Sequence, residues 1–326
     1  MILGNRYAGI VRSQAEAVKA ELQKLDVALE EWTNLQKSWM YLENIFKSAD
    51  VKKALPAESA MFEQVNKFFV AFMAKVQKMA KARSVINSSA KLIDDFKAQN
   101  ANLDYITKML QIYLETKRNA FPRFYFLSDD ELLEILANSQ DISIVQGYLK
   151  ALFDGIVKLT MSDLGDLTEM RSKEGENLPF LKLVKTTGPV EGWLCKVQDG
   201  MKETLVKRLK DANRDYTGQG GKAATPREKW VLEHPAQTVT TIALIQWCLQ
   251  TEDAISNMME DPTSLQNWSE GNYTQLEQLT MLIRGDLTEL QRCILVALVT
   301  QDVHARDIVD TLKDTNVSTI YDFTWQ

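Results

Sequence analysis

The chain has 326 residues, 45% hydrophobic, 25% charged and 9% aromatic, with 38 Lys+Arg against 44 Asp+Glu for a net charge of −6. So much apolar content with so little net charge excludes disorder as the main state. The acidic balance gives no general drive toward nucleic acid or anionic membrane, and the longest apolar runs, such as 294–299, fall far short of the ~20 residues a bilayer needs.

Catalytic side chains are scarce. His234 and His304 are the two histidines; Cys195, Cys248 and Cys293 are widely spaced and form no CxxC. That is neither a disulfide framework nor a zinc site, and it fits a reducing compartment. The opening residues lack the sustained apolar stretch of a secretory signal.

The first long segment places Val18, Leu22, Leu25, Leu29, Trp32, Leu35, Trp39, Leu42 and Phe46 in steps of three and four. That period predicts one amphipathic helix over 11–47, roughly 55 Å long at ~1.5 Å per residue. After Leu55-Pro56 a second helix carries Phe62, Val65, Phe69, Phe72, Val76 and Met79. Ser88 or Ser89 then caps a third, with Leu92, Phe96, Leu103, Ile106, Leu110 and Leu114 on one side. Three antiparallel helices make the simplest bundle. The same 3.5-residue stripe also reads as an intermolecular coiled coil, although the breaks and the bulky rings suit globular packing better.

Pro122 stops the helical pattern in Phe121-Pro122-Arg123-Phe124, and 124–127 is expected to run extended. Its aromatic run is expected to be largely buried. Ser128-Asp129-Asp130-Glu131 restarts a helix with a capping box, and another follows at about 142–153. Residues 156–185 change character: 156–161 and 180–184 read as strands of a small antiparallel meander, with turns at Gly165 and 173–176. Helices resume at Pro189, a loop is expected at 215–224, and further helices at about 226–233, 235–260, 272–300 and 304–314. The final Ile320-Tyr321-Asp322-Phe323-Thr324-Trp325 reads as an extended tail, as if the chain were cut from something longer.

Gly218-Gln219-Gly220-Gly221-Lys222 fails as a phosphate loop. Ala223 stands where Ser or Thr is needed, and a charged helix end precedes it instead of a buried strand. A flexible linker is the better reading. His304 and Asp307 share a helical face, yet nothing nearby completes a metal site; Asp302 or Thr300 reads as the cap of the 304–314 helix. His234, directly before Pro235, reads as a junction residue. The seven tryptophans follow apolar stripes and are expected to pack rather than stack on bases. No catalytic, cofactor-binding or metal residue is assigned.

Several stretches resemble one family. Glu115-Thr116-Lys117-Arg118 with the run Phe121-Pro122-Arg123-Phe124-Tyr125-Phe126-Leu127-Ser128-Asp129-Asp130-Glu131-Leu132-Leu133 resembles the linker region of dynein heavy chains. So do Trp32 with Gln36-Lys37-Ser38-Trp39, then Glu191-Gly192-Trp193-Leu194, His234-Pro235-Ala236-Gln237 and Asp302-Val303-His304-Ala305-Arg306-Asp307, all in the family's order. Leu114 to Arg118 and Phe126-Leu127-Ser128 look more ciliary than cytoplasmic. Residues 1–20 match little, 217–221 looks like an insertion, and Gly200 sits where the family tends to have a helix former.

The resemblance implies a mainly α fold, an elongated arch of antiparallel helical bundles with one small β-meander. Expected divisions are an N-terminal bundle (1–118), a joint and helical segment (119–155), the meander (156–188) and a C-terminal bundle (189–326). It implies a mechanical lever that couples an ATPase ring, absent here, to movement along microtubules in the axoneme of a cilium or flagellum. ATP and Mg²⁺ would be held by ring modules of the same heavy chain, microtubules would be touched only through other parts, and no nucleic acid or membrane partner is implied. A non-swinging helical tether that binds partner chains is the alternative. A lever bends at one place, and the joint candidates are Pro56 and the cluster Phe121, Pro122, Arg123, Phe124, Phe126 and Leu127.

Overall fold

A computed structural model describes residues 8–79, 81–138, 141–218 and 223–326. Among them the structure is 74% helical, with twelve α-helices and one three-stranded antiparallel sheet. The fold is mainly α, as the stripes require. The chain divides into two compact units, Met1–Leu152 with Pro189–Gly192, and Phe153–Gly188 with Trp193–Gln326.

In the first unit α1 (Arg12–Ile45), α3 (Pro56–Lys78) and α5 (Leu92–Ala120) form an up-down-up bundle. Short helices α2 (Ala49–Ala54) and α4 (Ala82–Ile86), unannounced by any long period, fill the connections. Rings interlock where the stripes meet. Trp32 meets Phe72 edge-on at 5.0 Å, Phe72 meets Phe96 edge-on at 5.0 Å, Trp39 lies 4.6 Å from Phe69, and Phe46 stacks on Phe62 at 5.2 Å. Such pairs add to the area they bury because ring edges carry partial charge opposite to ring faces. Leu35, Leu42, Val65, Leu103, Ile106 and Leu110 close the seam with almost no exposure. An intramolecular bundle therefore occupies this part of the stripe.

The start of α1 departs from the expected continuous burial. Val18 is 55% exposed, Leu22 60% and Leu29 44%. Helix α3 ends at Lys78 and α5 begins only at Leu92, so little of the bundle reaches Val18 and Leu22; Leu29, beside the fully buried Ala28, faces away from the seam. Helix α4 partly covers them, with Arg83 bridging to Glu21 at 2.5 Å. Neither serine caps α5 through its first turn; the Ser88 hydroxyl donates back to the Val85 carbonyl at 2.6 Å.

Helices α6 (Asp129–Ala137) and α7 (Ile142–Leu152) complete this unit. Ser128 and Glu131 form the expected capping box.

The second unit opens with β1 (Lys158–Met161), β2 (Asp166–Arg171) and β3 (Asn177–Lys185), an antiparallel sheet in sequence order. Its hairpin turns place Gly165 at φ 84° and Gly175 at φ 89°, where a Cβ would be strained. Helix α8 (Val190–Thr217) lies against β3 within this unit. A Cβ on Gly200 would come within 3.3 Å of Val184 and 3.4 Å of Phe180, so the helix-interior glycine marks a close helix–strand approach. One turn on, the fully buried Thr204 donates to the Gly200 carbonyl at 2.7 Å and accepts from the Leu181 N–H at 3.2 Å.

Helix α8 runs to Thr217, two residues past the start of the expected loop. Tyr216 explains this: it packs edge-on against Trp230 at 4.9 Å and keeps the last turn folded. Gly218, at φ 72°, then ends it with its N–H on the Arg214 carbonyl. The rest of the glycine-rich stretch, 219–222, lies outside the described residues.

Beyond it, α9 (Arg227–Glu233), α10 (Ala236–Ser256), α11 (Ser264–Ile283) and α12 (Glu289–Asp314) pack around Trp230, Val239, Ile242, Leu279, Leu295 and Leu298. The break expected at 300–304 falls instead at 284–288. Gly285 lies between the helices, and Thr288 with Gln291 forms a capping box that starts α12. Asp302 and Thr300 are thus helix-interior, and Asp302 pairs with Arg227. The tail is not extended: Asp322 and Trp325 close successive turns, and Trp325 rests 5.8 Å from Trp247.

Replacing Thr204 by Val keeps its volume but leaves the Leu181 N–H without its acceptor. We expect a loss of about 1–2 kcal/mol in urea unfolding, with Thr204→Ser much closer to the starting protein.

Candidate functional site

The sequence-derived joint residues fall in the first unit, at two separate junctions. Pro56 is the first residue of α3, where its missing N–H costs nothing. It is exposed, and the junction is held by backbone bonds, Leu55 N–H to Val51 O at 2.9 Å and Ser59 N–H to Leu55 O at 2.9 Å.

The other six come together in one turn. Phe121 is extended at φ −137° and ψ 93°, as a residue before proline should be. The expected extended run 124–127 is instead a 3₁₀ turn over Pro122–Phe126. Proline at the first position fixes a φ already suited to a tight helical turn. The turn closes through Phe124 N–H to Phe121 O at 3.0 Å and Leu127 N–H to Phe124 O at 3.1 Å.

This geometry sorts the side chains. Phe121 and Phe124 point the same way, meet edge-on at 5.0 Å and are 1% and 0% exposed; Leu127 is buried too. Tyr125 and Phe126 point outward, Phe126 with 68% of its surface in solvent, and Pro122 is exposed. The expectation of a largely buried run over Phe121, Pro122, Phe124, Phe126 and Leu127 fails for Pro122 and Phe126. A 3₁₀ turn puts positions three apart on one side, so consecutive rings cannot all face inward.

Polar contacts clamp the turn onto its neighbours. Arg118 donates to Asp129 Oδ1 at 2.7 Å and to the Leu127 carbonyl at 3.3 Å, so one guanidinium joins the end of α5 to the start of α6. Gln111 donates to the other Asp129 oxygen at 3.0 Å. The Tyr125 hydroxyl donates to Glu115. Arg123 reaches the Leu152 carbonyl at 2.9 Å, and Lys117 pairs with Glu191 at 2.5 Å. Glu131 accepts from the Ser128 N–H and hydroxyl, which hold its carboxyl below the usual range. Beside the turn, Tyr41, Ser48, Val51, Asp130 and Leu133 line an open groove of about 400 Å³. Burial, then Asp130 and Asp129, raises the Tyr41 phenol.

Arg118, Arg123 and Asp129 stand in the recognised motif, but nothing in their spacing announces the clamp. The link from Lys117 to Glu191, 74 residues on, has no local signal.

Other candidate residues show no shared chemistry. Among the described residues, no three His, Cys, Asp or Glu side chains gather to hold a metal ion. His304 is exposed on α12. His234 ends α9 in extended backbone, 3.5 Å from Asp215, with burial pulling its imidazole below the usual value. The arrangement around 121–131 can position and brace.

The turn's two faces should separate cleanly in stability measurements. Phe124→Ala should cost about 3–5 kcal/mol, as for a ring removed from a closed core. Phe126→Ala should stay within about 0.5 kcal/mol, the usual range for surface positions. Equal shifts in denaturant midpoint would contradict this burial pattern.

A family model described as dynein heavy chain, N-terminal region 2, matches residues 1–212. Over 351 aligned residues the chain is 38% identical to human dynein axonemal heavy chain 6, covering 100% of this chain and 8% of that protein. It is 37% identical to rat dynein axonemal heavy chain 1, covering 94% of this chain and 7% of the relative. The Chlamydomonas reinhardtii dynein-1-beta heavy chain of the flagellar inner arm I1 complex is also 37% identical, over 93% of this chain and 7% of its own length. The chain therefore spans less than a tenth of these relatives, and by its match to their N-terminal region it belongs to the dynein heavy-chain family.

Proposed function

We propose that this chain is the mechanical linker of an axonemal dynein heavy chain, a lever coupling ATP-driven changes in a ring of ATPase modules to movement along microtubules. The observation that carries the reading is the continuous ring-on-ring seam of the α1/α3/α5 bundle together with the clamped turn that follows it. A lever loses displacement wherever it deforms, and close-packed aromatic interiors deform little. Nucleotide and Mg²⁺ belong to ring modules of the same heavy chain, and microtubules are met only through other parts of the motor. The site of action is the axoneme, as the names of the relatives suggest. Bending is assigned to one of the two joints, Pro56 or the turn at 121–127, because a lever needs one interface with two discrete packings.

A second reading has its own observation. Val18, Leu22 and Leu29 leave an apolar stripe open on α1. A static tether that binds another helix there would use such a stripe.

One preparation decides between them. In a complete motor lacking residues 1–110, ATP turnover should persist while microtubule gliding is lost. The isolated chain should neither bind nor hydrolyse ATP. Undiminished gliding would make the bundle a passive tether, and turnover by the isolated chain that survives further purification would defeat the lever reading.

A further inference from the structure

The described end of the glycine-rich connection carries a feature that the lever reading does not use. Of seven prolines in the chain, only Pro226 follows a hydroxyl residue, Thr225. Pro226 is extended, at φ −49° and ψ 136°, and Ala223, Ala224 and Pro226 are exposed. Thr225 is half-buried; its N–H donates to the Asp215 carbonyl at 2.8 Å, while its hydroxyl bonds to no described residue. A partly exposed Thr-Pro with exposed neighbours and an extended proline is a shape a proline-directed kinase can take into its cleft.

Two residues on stands a cation with an unmatched donor. Arg227 spans Gln275 at 3.0 Å and both oxygens of Asp302 at 2.8 and 3.0 Å, joining α9 to α11 and α12. Its side chain is 13% exposed, and its Nε is buried without an acceptor. A phosphate is a stronger partner for a guanidinium than a carboxylate, through greater charge and three acceptor oxygens.

We propose that Thr225 is a phosphorylation site for a proline-directed protein kinase, and that its phosphate competes with Asp302 for Arg227. The threonine oxygen attacks the γ-phosphorus of ATP. The new O–P bond forms as the bond from that phosphorus to the ADP oxygen breaks, and the hydroxyl proton passes to the kinase's base. The product places about −1.5 to −2 charge beside Asp215 and draws Arg227 away from Asp302. Asp302, only 14% exposed, is then left without its main counter-charge, and the joint of α9 with α12 loosens.

The test uses the intact chain, a recombinant proline-directed kinase, Mg²⁺ and ATP, with Thr225→Val and Pro226→Ala in parallel. Thr225→Val keeps the backbone bond to Asp215, and equal melting temperatures verify that both variants fold. Intact mass and fragmentation should show one phosphate on Thr225 in the starting protein and its loss in both variants. No phosphate, or one placed elsewhere, overturns the site. In the phosphorylated protein, amide exchange around Arg227 and Asp302 should quicken severalfold while α1, α3 and α5 keep their rates. Unchanged exchange around Arg227 and Asp302 overturns the competition.

Discussion

Much of the first unit depends on one constraint, the meeting of Trp32, Phe72 and Phe96 at 5.0 Å contacts across three helices. Rings of this size fit only at certain offsets, so each contact fixes both the spacing and the rotation of its two helices. Trp39 on Phe69 and Phe46 on Phe62 repeat the condition further along. A slide of one helix by a single turn would unseat every pair together. This is what makes the bundle stiff: its packings are discrete, and the intermediate positions leave voids.

The same constraint shapes the turn after α5. Helix α5 must end where its stripe ends, and Phe121 and Phe124 continue the buried face around the corner in a 3₁₀ turn. Tyr125 and Phe126 are left outside because the turn has only one inner side. The polar clamp then settles on that framework, with Arg118 satisfying both the Leu127 carbonyl and Asp129. The order matters energetically. Partly exposed ion pairs are screened and contribute little each, whereas removing a closed-core ring costs several kcal/mol.

Where period alone decides the structure, the sequence was legible. The stripes of α1, α3 and α5, the Ser128 capping box and the glycine turns of the meander all follow from local chemistry. Local chemistry is also present at Thr288-Glu289-Leu290-Gln291, a capping signal that places the last break sixteen residues before His304. Asp302 resembled a cap only because its true partner, Arg227, lies 75 positions away. The open start of α1 was not legible for the same reason. An amphipathic stripe states that a face is apolar, and whether anything reaches that face depends on where other helices stop.

Those limits bear on how the proposed lever would bend. At the Phe121 turn a change of angle must either carry Phe121 and Phe124 out of a closed core or leave them seated while the outer residues swing. Moving them exposes two large rings; leaving them seated strains polar contacts instead, those of Arg118 and Gln111 with Asp129, of Arg123 with the Leu152 carbonyl and of Tyr125 with Glu115. At Pro56 the side chain is already exposed, and the backbone bonds on either side belong to separate helices, so rotation there meets less packing. Yet Phe62 stacks on Phe46 within two turns of Pro56, which confines any rotation to the short α2 segment. On the lever reading, the aromatic seam would bound the motion in both places, and the polar contacts would set only its resistance. If the chain acts as the proposed lever, its stiffness and the places where it would bend both follow from the same packed rings.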